Sequence, residues 1–210
     1  TSGRPKGVFH SYDSLAARLR KIQQFVPVSH TDRTLCVLPS HFGHGLIGNS
    51  LAPLSFGAHL FIAPSVAWAL PQLGQIIDEN KITFFSSVPS IWKLLPDSSL
   101  VSHETLRRVH CASSPFSEEV FGKIRRFAPL AAVFNVYGMT ENSSHQYTHP
   151  DDSHEIMATT CGRGGKAYEV RLFDPADEDK PVKAGEIGHM LHVFLADLHC
   201  RTPFQRSPWA

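Results

Sequence analysis

Residues 134–141, Phe-Asn-Val-Tyr-Gly-Met-Thr-Glu, end a run of apolar residues that is typical of a buried strand. Gly138 permits a sharp turn of the backbone where that strand is predicted to end. Tyr137, Thr140 and Glu141 then bring an aromatic face, a hydroxyl and a carboxylate close together. These groups suit a nucleotide with a metal ion, but alone they fit equally well a strand followed by a helix cap and an ordinary surface glutamate.

The chain opens with a second polar stretch, Thr-Ser-Gly-Arg-Pro-Lys-Gly-Val at residues 1–8. Small hydroxyl residues and glycines surround Lys6, so backbone N–H groups and one mobile cation can bind phosphate oxygens there. The stretch is not a Walker loop, which needs Gly-x-x-x-x-Gly-Lys followed by Ser or Thr. It indicates a phosphate-binding loop of a different kind.

Strand and helix patterns alternate between these two stretches. This rhythm predicts an α/β fold with a mostly parallel sheet covered by helices. Ligands of such sheets collect at the carboxyl ends of strands, and Ser113 and Tyr137 both follow predicted strand ends. We therefore expect one crevice there. The predicted strands are 34–39, 58–63, 82–88 and 106–112, and the predicted helices are 11–26, 71–80 and 117–127.

The first predicted helix has an apolar stripe and a polar face that includes Arg18. The stripe repeats at intervals of four and three residues, which indicates packing against a core. We expect this helix to pack and to have no chemical role. The stripe consists of Leu15, Leu19, Ile22 and Val26.

The pattern changes after residue 141. The segment 142–158 is polar and rich in His, Asp and Ser, which predicts a loop. Strands predicted over 170–173 and 186–193, with an acidic turn at 174–179 between them, indicate a small β unit. The predicted organisation is an α/β core at 1–160, a small C-terminal β unit at 161–194 and a divergent tail at 195–210.

Composition limits the possible functions. The 210 residues carry a net charge of +1 and 42% hydrophobic residues, the balance of an ordinary globular domain. We expect no nucleic-acid partner, because no basic block with interleaved aromatics is present. No apolar run reaches the length of a bilayer span, and we expect a cytoplasmic protein. The four cysteines are scattered, which favours reduced thiols over disulfides or a zinc site.

Together the two polar stretches resemble the adenylate-forming superfamily, which includes acyl-CoA synthetases, luciferases and the adenylation domains of peptide synthetases. In that family a loop ending in Pro-Lys-Gly binds the ATP phosphates, and a later Tyr-Gly-x-Thr-Glu stretch binds adenine, phosphate and Mg²⁺. Val-Pro-Ser at 88–90 and Ala-Ser-Ser-Pro-Phe-Ser at 112–117 resemble two further family segments, a Val-Pro-Thr segment and an adenine-side loop. Weaker similarity continues through 161–164 and 185–188.

The resemblance implies that the opening loop binds the triphosphate of ATP. Its lysine would neutralise the β- and γ-phosphates, and its hydroxyl and backbone N–H groups would donate hydrogen bonds. The predicted phosphate-binding residues are Thr1, Ser2, Gly3, Lys6 and Gly7.

The resemblance also implies roles around the second stretch. Thr140 would donate a hydrogen bond to the α-phosphate, and Glu141 would hold Mg²⁺, a hard ion that prefers oxygen ligands. Adenine would lie between Tyr137 and the adenine-side loop, in which Ser113 and Ser114 stand where the family often has glycine and alanine. The predicted nucleotide-binding residues are Ser113, Ser114, Pro115, Asn135, Tyr137 and Gly138.

The connection at residues 40–45 corresponds to the wall of the family's acid pocket. An aromatic residue or histidine there often stands over the reacting acyl group, so His41 or Phe42 is the candidate, depending on a one-residue gap. His41 as a simple helix cap is an equal alternative. The connection has no aspartate for an amino group, and Met139 stands where peptide synthetases usually have proline. Both features favour a fatty or aromatic acid over an amino acid.

The activity implied is the joining of a carboxylic acid to the α-phosphate of ATP, followed by transfer of the acyl group to a thiol, commonly that of CoA. ATP, Mg²⁺ and CoA are the implied cofactors. The resemblance ends after residue 188, before the family's ribose-binding aspartate and its C-terminal lysine domain. We therefore expect an incomplete acyl-CoA synthetase-like large domain, or alternatively a catalytically incomplete remnant that binds nucleotides or partner proteins.

Overall fold

The computed structural model describes residues 7–141, 145–164, 168–183 and 185–194. Lys6 and the other predicted phosphate-binding residues before Gly7 lie outside this part of the chain. The chain forms two compact units, Thr1–Arg163 and Gly164–Ala210. The functional division into core, β unit and tail stays a prediction.

The first unit is built on a seven-stranded sheet in the order β2-β1-β3-β4-β5-β6-β7. The first five strands pair in parallel, and β6 pairs antiparallel with β5. This arrangement confirms the predicted α/β fold with a mostly parallel sheet. The strands are β1 (Arg33–Cys36), β2 (His59–Ile62), β3 (Phe84–Ser87), β4 (Arg108–Ala112), β5 (Ala132–Gly138), β6 (His145–Tyr147) and β7 (Arg163–Gly164).

Helices connect the parallel strands, as the alternating pattern predicts. Ser11 and Ser117 cap two of them, since their hydroxyls accept hydrogen bonds from the backbone N–H groups of Ser14 and Val120. A π-helix, His44–Leu51, follows β1. The α-helices are α1 (Tyr12–Phe25), α2 (Ala52–Ser55), α3 (Val66–Ala69), α4 (Leu73–Glu79), α5 (Pro89–Leu94), α6 (Glu118–Phe127) and α7 (His154–Thr159).

The main core lies on one face of the sheet. Phe85 of β3 and Val109 of β4 are fully buried there with Trp92 of α5. The indole N–H of Trp92 donates to Ser87 Oγ at 2.8 Å, so the large side chain is buried without an unsatisfied polar atom. Because side chains alternate along a strand, the same strands present other residues to the opposite face.

The second unit contains a three-stranded antiparallel sheet in the order β10-β8-β9. Its strands are β8 (Tyr168–Asp174), β9 (Asp177–Pro181) and β10 (His189–Phe194). The predicted small β unit is confirmed as a sheet. The acidic turn predicted over 174–179 is wrong at its end, because β9 begins at Asp177.

The predicted loop over 142–158 is also wrong, since β6 and all but the last residue of α7 lie within it. Both elements are short and polar, so hydrophobic periodicity does not reveal them. The structure supplies what the pattern does not: β6 pairs with the end of β5, and Met157 anchors α7 in the core. The strand predicted to stop before Gly138 in fact includes it.

Candidate functional site

A cavity of about 370 Å³ lies on the sheet face opposite the main core. One side of it is lined by α1, the π-helix and α2, and the other side by β3, β4, β5 and β6. Much of the wall is apolar. The apolar side chains include Ile22, Val26, Phe42, Phe56, Phe84 and Val136.

One end of the cavity is formed at the carboxyl ends of β4 and β5. Ser113 follows β4, and Gly138, Met139 and Thr140 end or follow β5, and all four line the cavity. A Cβ built on Gly43 would lie 2.7 Å from Thr140 Oγ1, so the acid-pocket connection reaches this end too. The structure thus brings residues from three predicted segments to one crevice.

The backbone of Thr140 is held by the beginning of the chain. His10 Nε2 donates to the Thr140 carbonyl oxygen at 2.8 Å, and Arg18 Nη1 donates to it at 3.1 Å. Arg18 Nη2 also donates to the carbonyl oxygen of Met139 at 3.5 Å. These bonds tie α1 and the residues just before it to the motif after β5.

Arg18 is a cavity residue that the sequence pattern does not reveal. The apolar stripe predicts that it lies on the polar face of a packing helix, which is wrong, because only 5% of it is exposed and it lines the cavity. Burial lowers the pKa of its guanidinium, and Tyr147 and Glu141 oppose that shift. Its Nε has no hydrogen-bond partner in the described part of the chain. A buried cation therefore faces the same space as Thr140.

A hydrogen-bonded chain of side chains crosses the cavity wall. His44 Nδ1 lies 3.2 Å from Ser113 Oγ, and His44 Nε2 lies 2.7 Å from Ser86 Oγ. Asn49 Nδ2 donates to the Ser86 carbonyl oxygen at 2.9 Å. The π-helix is thereby joined to β3 and to the residue that follows β4.

A second polar pair lies on β4. Arg108 Nε donates to His110 Nε2 at 2.7 Å, so that nitrogen carries a lone pair and the proton of the neutral ring is on Nδ1. The Arg108 guanidinium lies 3.8 Å from the centre of the Phe134 ring. Burial lowers the pKa of Arg108 to about 10. The two polar residues alternate with Val109 and Cys111 in a predicted strand, a signal that could have revealed them.

Ser113 has a backbone φ of +72°, in the left-handed region that favours glycine. Glycine would adopt this conformation without the steric cost that a serine Cβ carries. We predict that Ser113→Gly changes the free energy of unfolding little, whereas Ser113→Val lowers it by about 2 kcal/mol, because a β-branched residue is strained there. Urea denaturation of both variants tests this, and equal stabilities would contradict it.

The first described residues indicate where the C-terminal end of the predicted phosphate loop lies. Gly7 is exposed and lies three residues before His10, so their Cα atoms are separated by at most about 11 Å. Since His10 contacts Thr140, the described end of the loop lies near the motif after β5.

The remaining predicted residues fall outside the cavity wall. His41 is exposed, whereas its neighbour Phe42 lines the cavity. Of the two candidates for the acid-pocket residue, the structure therefore favours Phe42. Glu141 is exposed directly after Thr140, and Tyr137 is half-buried on β5. Ser114 and Pro115 are likewise exposed beyond Ser113.

Asn135 has a structural partner. Its Nδ2 donates to the carbonyl oxygens of Met157 and Thr160, each at 3.0 Å, and its backbone N–H donates to Thr148 Oγ1 at 2.9 Å. These bonds fasten the α7 region to β5. The geometry assigns the Asn135 side chain to this connection rather than to the cavity.

The described residues contain neither a cluster suited to a metal ion nor a helix suited to a membrane. No group of three or more His, Cys, Asp or Glu side chains in these ranges is placed to hold a metal ion. Within the same ranges, no helix combines the length and the apolar character needed to cross a bilayer.

The sequence that forms this cavity matches a known protein family. The family model described as AMP-binding enzyme matches residues 1–192. The chain belongs to the AMP-binding enzyme family. This confirms the resemblance inferred from the motifs.

Among its relatives are two ligases named for 2,3-dihydroxybenzoate. The vibriobactin-specific 2,3-dihydroxybenzoate-AMP ligase of Vibrio cholerae is 28% identical over 196 residues, 91% of this chain and 35% of that protein. The 2,3-dihydroxybenzoate-AMP ligase of Bacillus subtilis is 27% identical over 203 residues, again 91% of this chain and 35% of that protein. The chain spans about a third of the length of these curated relatives.

Solved structures show the same fold. O-succinylbenzoate coenzyme A synthetase from Bacillus subtilis, in complex with ATP and magnesium ion, superposes with a TM-score of 0.76 at 19% identity. The match covers 93% of this chain and 40% of that chain. ATP-bound MatB from Rhodopseudomonas palustris gives a TM-score of 0.76 at 22% identity, covering 92% of this chain and 38% of that chain.

Proposed function

We propose that this chain provides the acid-binding cavity and the nucleotide-binding edge of an ATP-dependent ligase that activates a carboxylic acid as an acyl adenylate. The observation that carries the proposal is the single cavity whose largely apolar walls end at Ser113 and at Gly138–Thr140. An acid in the cavity would direct its carboxylate toward that end. Membership of the family and the names of the two relatives, both AMP ligases, support the same activity.

The reaction brings two anions together, because a carboxylate oxygen attacks the α-phosphorus of ATP and pyrophosphate leaves. Protein groups can assist by positioning the reactants and by neutralising charge. Arg18 offers a buried positive charge beside Thr140, and the Thr140 hydroxyl can donate to a phosphate oxygen. The Lys6 loop would supply a second cation for the leaving pyrophosphate.

Magnesium fits the residues present. Mg²⁺ is usually bound through one or two carboxylates, with water and substrate phosphates completing its shell. Glu141 is an exposed carboxylate directly after Thr140, so it could hold the ion beside the phosphates. The bound ion would supply neutralisation of the phosphate charge.

The finer part of the proposal is transfer of the acyl group from the adenylate to CoA, with a fatty or aromatic acid as substrate. The alternative is that the chain binds nucleotide or a partner protein without completing catalysis. Turnover distinguishes the two functions, because a chain that only binds nucleotide or a partner protein would not catalyse the reaction.

Pyrophosphate exchange into ATP by the 210-residue chain, measured with fatty, aryl and amino acids, tests the proposal. We expect exchange with a fatty or aryl acid, and a loss of at least tenfold in Thr140→Val, which keeps the shape of the side chain but removes its hydroxyl. Exchange with amino acids alone would contradict the acid class. A folded sample that shows no heat of binding with Mg-ATP would contradict the function itself.

A further inference from the structure

We propose that Gly43 is a positioning residue for the Thr140 hydroxyl, because the missing side chain at position 43 leaves the space in which that hydroxyl lies. The inference rests on the proposed function, in which the Thr140 hydroxyl donates to a phosphate oxygen of the nucleotide. It goes further by naming the residue of the acid-pocket connection that decides where this donor is placed.

The backbone of Gly43 gives no reason for a glycine. Gly43 precedes the π-helix and has φ −56° and ψ −34°, which are ordinary right-handed helical values. Residues with a Cβ atom adopt this conformation without strain. Space is a different matter, because a Cβ built here would lie 2.7 Å from Thr140 Oγ1 and 3.1 Å from Thr140 Cγ2. The steric demand at position 43 therefore comes from Thr140.

The backbone on each side of this contact is held by hydrogen bonds. The Thr140 carbonyl oxygen accepts from His10 Nε2 at 2.8 Å and from Arg18 Nη1 at 3.1 Å. On the other side, the residue before the glycine is Phe42, whose carbonyl oxygen accepts from the Leu46 N–H at 2.9 Å. A side chain added at the glycine is therefore accommodated by rotation of the threonine side chain.

Such a rotation displaces the hydroxyl. The γ atoms of a threonine occupy two of three staggered positions, and in Thr140 both occupied positions face Gly43. A distance of 2.7 Å is shorter than nonbonded atoms tolerate, so a Cβ at position 43 excludes Oγ1 from its present place. The next staggered position turns the hydroxyl by about 120°. An added methyl group thus costs little stability but moves the donor.

Calorimetric titration of the 210-residue chain with AMP tests the proposal, because the one phosphate of AMP is the α-phosphate. We expect Gly43→Ala to weaken AMP binding by about tenfold, since a hydrogen bond to a charged group is lost. Adenosine lacks the phosphate, so the variant and the wild type should bind it with equal affinity. We expect the midpoint of thermal unfolding to fall by no more than about 4 °C.

A double-mutant cycle with Thr140→Val separates positioning from simple disruption. Valine keeps both γ positions but has no hydroxyl, so the collision with an added Cβ remains while the donor is gone. Thr140→Val should weaken AMP binding about as much as Gly43→Ala does, and the double variant should lose less than about twofold more. Gly122→Ala is the matched control, because Gly122 is exposed on α6 and an added Cβ there meets no atom within 4 Å.

Each other outcome overturns the inference. An undiminished AMP affinity in either single variant would do so, while AMP binding itself would leave the proposed function standing. A further loss of about tenfold in the double variant would show a disruption that needs no hydroxyl. Loss of folding in Gly43→Ala would show that the backbone, rather than the Thr140 side chain, had yielded. Failure of the folded wild type to bind either AMP or Mg-ATP would overturn the inference and the proposed function together.

Discussion

Replacing Arg18 by methionine weakens the binding of an acyl-adenylate analogue by about 10- to 100-fold, because a charged hydrogen-bond donor is typically worth 1.5–3 kcal/mol. The guanidinium is nearly buried, lines the cavity and holds the carbonyl oxygens of Met139 and Thr140. Its loss removes the buried positive charge that faces the cavity. Calorimetric titration of the variant measures the change.

Stability separates this effect from simple misfolding. Removal of a buried cation that has no ion-pair partner among the described residues relieves its desolvation cost, and this gain offsets the loss of its two hydrogen bonds to backbone carbonyls. We therefore expect the unfolding curve of Arg18→Met to change much less than the affinity. The Thr140 carbonyl oxygen keeps its bond from His10 Nε2 in the variant.

Arg20→Met is the matched control, since Arg20 lies on the same helix but is exposed. It removes the same charge, and salt screens its influence on the cavity. An equal loss of affinity in both variants would show a general effect of net charge and would contradict the role of Arg18. Arg18→Lys keeps the charge but not the forked geometry of the guanidinium. We expect its affinity for the analogue to lie between those of the wild type and Arg18→Met.

Short motifs are enough to predict much of this site. They indicate Ser113, Gly138 and Thr140, which line one cavity because parallel strands end at the same edge of a sheet. Helix caps such as Ser117 were predictable for a local reason, since a hydroxyl before a helix bonds a backbone N–H a few residues later.

Other residues could not be predicted because their roles depend on distant partners. Helical periodicity separates an apolar stripe from a polar face, but it does not show that Arg18 meets the carbonyl oxygens of residues more than a hundred positions later. Asn135 lies inside a recognisable motif, yet its side chain bonds α7, an element too short and polar to be predicted. Tertiary contacts, rather than local pattern, decide these functions.

The geometry of the π-helix leads to the second large effect, at Gly45. This residue is buried at the start of the helix, and a Cβ built on it would lie 2.4 Å from the Pro39 carbonyl oxygen and 2.9 Å from that of Leu38. Both are backbone atoms and cannot turn aside. We expect Gly45→Ala to lower the free energy of unfolding by about 3 kcal/mol, the upper part of the range for overpacking. Urea denaturation measures it.

Gly48→Ala is the matched control, because it makes the same substitution in the same helix without a close backbone contact. A Cβ at Gly48 would lie 3.4 Å from His44 Cδ2, an ordinary contact, and alanine favours a helix over glycine by about 1 kcal/mol. We expect that variant to be as stable as the wild type or slightly more stable. If Gly45→Ala were as stable as Gly48→Ala, the π-helix would not press against Leu38 and Pro39, which follow β1. The close approach that places His44 against Ser86 and Asn49 against the β3 backbone would then need another cause.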